Sequence, residues 1–138
     1  LTHKSTEYLD EFVPNKYYLG EKGFNFVTKV ERSERRARVN QDIIGCQTAN
    51  QQFNWVGDFR VEKPEQRHLH DDRIFKGIYN DELSVARKMT PHELLRLMGF
   101  EDFNVVVDDN VIWRQTGNSI AVPVIKAVIQ NIIRTLGL

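Results

Sequence analysis

Apolar residues are spaced unevenly along the chain, and the spacing changes character twice. Ile125, Val128, Ile129, Ile132, Ile133 and Leu136 recur at three- and four-residue steps, with Lys126, Gln130 and Arg134 on the other side. That period predicts an amphipathic helix, and its apolar stripe is wide for so small a chain, which points to docking on a partner domain. Upstream, Thr90-Pro91-His92-Glu93 reads as a helix start, with Thr90 as N-cap, Pro91 at the first helical position and Glu93 completing a capping box. Leu94, Leu95, Leu97 and Met98 follow, and Gly99 supplies a left-handed stop, so a short two-turn helix is predicted.

Residues 41–86 are different. They are rich in Gln, Asn, Gly, Asp and His, with isolated aromatics at Phe53, Trp55, Phe59, Phe75 and Tyr79. The weak period predicts short strands at about Phe53 to Val61 and Arg73 to Tyr79, joined by long loops. Residues 1–40 hold a short helical candidate (Ser5 to Phe12), the pair Tyr17 and Tyr18, and the stretch Glu31 to Arg38, whose alternating signs suggest a solvated face. With residues 87–138 these make three zones, without internal repeats or low-complexity tracts.

Composition bounds the answer. A chain of 138 residues, 41% hydrophobic, buries the core of one domain, or of a small domain with an appendage. Nineteen basic residues offset nineteen acidic ones, so any nucleic-acid contact must come from local clusters. The apolar region Ile120 to Ile133 is interrupted by Pro123, Lys126, Gln130 and Asn131, and no membrane insertion is expected. Leu1-Thr2-His3-Lys4-Ser5 has no apolar run behind it and does not begin with Met, so it reads as neither a signal peptide nor an obvious natural start, and a fragment is expected. The single cysteine, Cys46, excludes an internal disulfide and a multi-cysteine zinc site, and fits a reducing cytoplasm.

Two stretches carry more than helix grammar. Arg87-Lys88-Met89-Thr90-Pro91-His92-Glu93-Leu94-Leu95-Arg96-Leu97-Met98-Gly99-Phe100 resembles the ninth signature motif of DNA cytosine-5 methyltransferases, approximately R-x-L-T-P-R-E-x-x-R-L-x-G-F. Downstream, Gln115-Thr116-Gly117-Asn118-Ser119-Ile120-Ala121-Val122-Pro123-Val124 resembles the tenth, Q-x-G-N-S-V-x-V-P-V. His92 stands where the family carries Arg, Met89 where it carries Leu, and Ile120 where it carries Val. Lys16 to Lys22 is similar to the tyrosine-containing linker that follows the family's eighth motif, and the middle, unmatched, looks like a variable target-recognition region.

The resemblance implies an α+β fragment. Residues 1–40 would be linker and start of a small domain, 41–100 a loop-rich target-recognition domain with the ninth-motif helix, and 101–138 the tenth motif and a helix completing the S-adenosylmethionine-dependent methyltransferase domain. It also implies transfer of a methyl group from S-adenosylmethionine to C5 of cytosine in a specific site of double-stranded DNA, in a restriction-modification setting. Asn118 and Ser119 would lie beside the donor's amino-acid end; read locally, either residue simply caps the last helix. Arg87, Thr90, Pro91, Glu93, Arg96, Gly99, Gln115 and Gly117 would be the structural residues of the two motifs.

The family's Pro-Cys-Gln nucleophile segment, its Glu-Asn-Val carboxylate segment and its glycine-rich donor loop do not occur in this sequence. Gly45-Cys46-Gln47 lacks the preceding proline and reads as part of the recognition region, so no catalytic residue is assigned. An N-terminal catalytic part is therefore expected as partner, and the chain alone is expected to be inactive.

Gln47, Thr48, Asn50, Asn54 and Arg67, with Gln51 and Gln52, have side chains suited to base edges, and Arg32, Arg35, Arg36 and Arg38 suit phosphates or a solvated face. Trp55 and Phe53 read as core. His68-Leu69-His70-Asp71-Asp72 lacks a third metal ligand at a usual spacing and reads as a solvated loop, with no metal expected. The alternatives are a non-enzymatic DNA-binding module, with Thr90 to Phe100 as one helix of a helix-turn-helix, or a regulatory subunit.

Overall fold

Short strands, the two central ones buried on both faces, organise the chain, and the computed structural model describes residues 3–29, 37–50, 53–100 and 103–137. The strands are β1 (Ala37–Val39), β2 (Gly57–Glu62), β3 (Gly77–Tyr79) and β4 (Glu82–Lys88), in spatial order β1-β2-β4-β3. β1 runs parallel to β2, and the other neighbours are antiparallel. Around this sheet lie α1 (Glu21–Thr28), α2 (Gln66–Leu69), α3 (Pro91–Leu97), α4 (Asp109–Gly117) and α5 (Val122–Leu136). The fold is α+β with short strands, as the sequence implied.

Register explains the weak period of the middle zone. Phe59, Val61 and Ala86 face α1 and pack with Leu19, Phe24, Val27 and Ala37. On the other face, Val85 joins Val13, Tyr17, Tyr18, Ile74, Met89, Leu94 and Trp113. Ser84 to Arg87 are consecutively buried, as are Asp58 to Val61, so neither strand alternates. A strand covered on both sides has no polar face to announce it.

The expected elements shift accordingly. The strand predicted at Phe53 to Val61 begins only at Gly57, because Trp55 and Gly57 take φ of 50° and 94° and the preceding residues turn. The one predicted at Arg73 to Tyr79 contracts to β3. β4 was not foreseen, although its hairpin turn was visible: Asn80 and Asp81 have φ of 49° and 64° between the paired Tyr79 and Glu82, the two-residue turn that matches strand twist. The helical candidate Ser5 to Phe12 is one 3-10 turn, Ser5–Tyr8. Residues 31–36 of the charged stretch lie outside the described residues, and its end, Ala37 and Arg38, belongs to β1.

α3 is the helix the sequence specified. Thr90 Oγ1 accepts the Glu93 amide at 3.1 Å, the Glu93 carboxylate returns to the Thr90 amide at 2.7 Å, and Gly99 stops the chain at φ 83°. α5 carries the predicted stripe and buries none of its residues: Ile125, Val128, Ile129, Ile132, Ile133 and Leu136 are all exposed. Taken as one stretch, Asp109–Leu136 has the length and mean hydropathy (1.3) of a membrane span. The break between α4 and α5 divides it, and α5 alone is about 22 Å long against a hydrocarbon core of about 30 Å.

Candidate functional site

The polar residues of the first motif converge on one buried network. Arg87, on β4, and Glu93, in the first turn of α3, are 2% and 0% exposed and share two hydrogen bonds of 3.0 Å. Arg87 Nε donates to Glu62 at 3.2 Å, and Glu62 accepts the hydroxyl of Tyr18. Burial opposes the Arg87 charge, but the bonds to Glu93 prevail and its pKa is raised. Tyr18 is also pushed upward, by burial first and by Glu62 second. Glu93 further accepts the amide of Asp10 at 3.0 Å, and Arg96 donates to the Tyr8 carbonyl at 2.8 Å and to Asp10. The motif thus fastens the N-terminal segment to the sheet and to α3. Asp10, Tyr8 and Glu62 were missed in the sequence, because nothing local marks partners that lie 25 to 88 positions away along the chain.

The second motif is locked against the first. An added Cβ on Gly99 would stand 2.6 Å from Pro123 Cδ, and the Val122 amide donates to the Met98 carbonyl at 2.8 Å. Gly117 lies so near the backbone of Thr48 and Ala49 that a Cβ there would meet it at 2.4 Å. A side chain at either glycine would part these segments. Gln115 is exposed on α4.

Asn118 and Ser119 do not cap the last helix. Its N-cap is Ala121, without a side-chain bond, because the chain needs residues 118–121 to turn; Asn118 instead ends α4 as its C-cap, and Ser119 Oγ donates to the Thr116 carbonyl at 2.7 Å. The amides opening α5 are not free for a carboxylate, since Val122 bonds Met98, Pro123 has none and Val124 bonds Ala121. The Asn118 side chain is exposed and makes no hydrogen bond among the described residues.

The proposed base-reading residues divide. Thr48, Asn50 and Asn54 are exposed, whereas Gln47 is buried. Arg67 is half-buried, its guanidinium 4.1 Å from the centroid of the Phe12 ring and its Nε 2.7 Å from Glu65, an ion contact without hydrogen-bond alignment. Gln51, Gln52, Arg32, Arg35 and Arg36 lie outside the described residues, and Arg38 is engaged with buried Asp58 at 2.7 Å. Ser5, Tyr8, Cys46, Gln47, Met98 and Ser119 line a cleft of about 500 Å³ between the N-terminal turn and the α3–α5 junction. Cys46 is exposed there.

His68 is not in a solvated loop: it is fully buried in α2 beneath Tyr18, with ring centroids 4.0 Å apart, and its Nδ1 accepts the Glu65 amide at 3.1 Å. Burial first, and Arg67 second, lower its pKa. Phe53 and Trp55 sit at the edge of the core. Phe53 is 40% exposed, edge-on to Trp113, while Trp55 is half-buried against Phe26 at 5.5 Å.

Comparison with known proteins accords with this geometry. A family model described as C-5 cytosine-specific DNA methylase matches residues 2–134. Type II methyltransferase M.SsoII of Shigella sonnei is 35% identical over 133 residues, which is 93% of this chain and 31% of that protein. Type II methyltransferase M.HpaII of Haemophilus parainfluenzae is 34% identical over 142 residues, 93% of this chain and 37% of its own length. The chain thus spans about a third of the length of the curated relatives it matches. In structure it is similar to the S. pombe Dnmt2 methyltransferase, with TM-score 0.65 and 17% identity over 100% of this chain and 44% of that one. The Entamoeba histolytica methyltransferase EhMeth gives TM-score 0.63 and 16% identity over 96% and 41%. At such identities the structural likeness speaks to the fold alone.

Proposed function

The chain belongs to the C-5 cytosine-specific DNA methylase family, and on that premise we propose that it is the target-recognition and C-terminal part of a DNA cytosine-5 methyltransferase. It chooses a site in double-stranded DNA and helps close the pocket of the methyl donor, in the cytoplasm of a bacterium and in a restriction-modification setting. The Type II names of its relatives support that setting.

One observation carries the reading: the two motifs fold into a single unit joined at Gly99 and Pro123, and that unit ends in a helix with no buried residue. Such a face is complete only against another apolar surface. The N-terminal part of the enzyme provides that surface, together with the cysteine nucleophile and most of the donor pocket. S-adenosylmethionine, when bound, supplies the electrophilic methyl group. From this chain Asn118 would donate to its carboxylate, and Ser119, which donates to Thr116, would keep acceptor lone pairs.

Mixing the chain with a matching N-terminal part, labelled S-adenosylmethionine and DNA tests this directly. Methyl transfer in the mixture and in neither part alone is the expected result. Absence of both complex and transfer, with DNA binding by this chain alone, would overturn it in favour of a non-enzymatic binding module.

A further inference from the structure

One concave surface stands outside both motifs. A cleft of about 360 Å³ is lined by Glu21, Lys22, Asn25, Phe26, Lys29 and Trp55. Gly23, Phe24 and Val27 turn the other side of α1 into the core, leaving Lys22 and Asn25 on its outer side and Lys29 just past its end, as its C-cap. Trp55 forms the wall, tilted against Phe26 at 5.5 Å, on a backbone with φ 50°. A bulky residue in the left-handed region is a genuine outlier, and strain of this kind gathers at binding sites.

The cleft carries a net positive charge, two lysines against one glutamate. Lys4 pairs with Asp42 at 3.1 Å, Lys63 with Glu82 at 3.1 Å, Arg73 with Asp71 at 2.8 Å and Arg38 with Asp58 at 2.7 Å. Lys22 and Lys29 have no carboxylate partner among the described residues, and Glu21 is the one acid among the residues lining the cleft. Helical rise over seven residues sets the two lysine Cα atoms about 10 Å apart, a gap that their long, flexible side chains can close onto neighbouring phosphates of one strand. An indole between two cations at that spacing suits a sugar flanked by phosphates, and Asn54, a candidate base reader, is the neighbour of Trp55 in the chain.

We propose that the α1–Trp55 cleft is a phosphate clamp for duplex DNA, in which Lys22 and Lys29 meet phosphates of one strand and Trp55 packs against the sugar between them. The clamp rests on the reading that this chain acts on DNA. It sets register and affinity and carries no base preference of its own.

The test uses the chain mixed with its N-terminal part and a fluorescent mixed-sequence duplex, with binding measured between about 50 and about 200 mM salt. Losing two phosphate contacts in Lys22→Gln/Lys29→Gln is expected to flatten the plot of log K against log salt by about two. Trp55→Ala, or Trp55→Phe if that variant does not fold, is expected to weaken binding several-fold with the slope unchanged. Lys63→Gln, at a paired lysine elsewhere, is expected to change neither quantity. A wild-type slope in the double lysine variant, or equal flattening by Lys63→Gln, overturns the clamp. If the wild-type mixture still methylates DNA in that case, the clamp alone fails; if it neither methylates nor binds duplex, the clamp and the proposed function fail together.

Discussion

Arg60 and Arg87 lie directly opposite one another on β2 and β4, two buried cations on one face of the sheet. Like charges so placed repel, and burial first, then Arg87, lowers the pKa of Arg60. Glu93 and Glu62 make the arrangement tolerable. Glu93→Gln is therefore expected to cost about 3–5 kcal/mol in urea unfolding at neutral pH, as for a buried charge that loses its partner. Replacing both partners, Arg87→Met with Glu93→Leu, is expected to cost less than Glu93→Gln alone.

Thr90 caps α3 and also donates its hydroxyl to Asp10. Thr90→Ala is expected to lose about 1 kcal/mol from the cap alone. A double-mutant cycle with Asp10→Ala is expected to show a coupling of about 0.5–3 kcal/mol, because the two residues share one network. Additive losses would mean that the link contributes nothing to stability.

Gly99 and Gly117 serve close approach. Gly99→Ala, at φ 83° and 2.6 Å from Pro123, is expected to pry α5 from α3, read as faster hydrogen exchange of the Val122 amide. Gly117→Ala is expected instead to shift the NMR signals of Thr48 and Ala49, whose backbone passes over it.

His68 should make stability depend on pH. Its folded pKa lies below the ordinary 6.5, with burial the main cause and Arg67 next, against the weaker pull of Glu65, Glu62 and Asp71. Below that ordinary value the unfolded chain takes up a proton that the folded chain refuses, so stability declines as pH falls from about 6.5 toward the folded value. The urea midpoint is expected to drop between pH about 7.5 and about 5.5, and less so in His68→Phe.

How much of this was legible depended on range. The α3 cap and its glycine stop are local, and they were readable residue by residue from Thr90 to Gly99. The stripe of α5 was readable for the same reason. β4 was not, because Ser84 to Arg87 are buried on both faces and leave no alternation. α4 was hidden because its buried positions, Ile112, Trp113 and Thr116, are too few to establish a period. Among the proposed base readers, a sequence without pairing information could not show that Gln47 would be buried or that Arg67 would stack on Phe12.

The network around Glu93 also bears on how the chain folds. Asp10 meets Glu93 across 83 positions, and Tyr8 meets Arg96 across 88. These bonds close loops that span well over half of the chain, whereas the β3–β4 hairpin and α3 need only their neighbours. The motif's polar contacts therefore belong to the late side of the folding barrier. Removing them should quicken unfolding and leave the refolding rate nearly unchanged, which makes the motif a latch on the lifetime of the folded state.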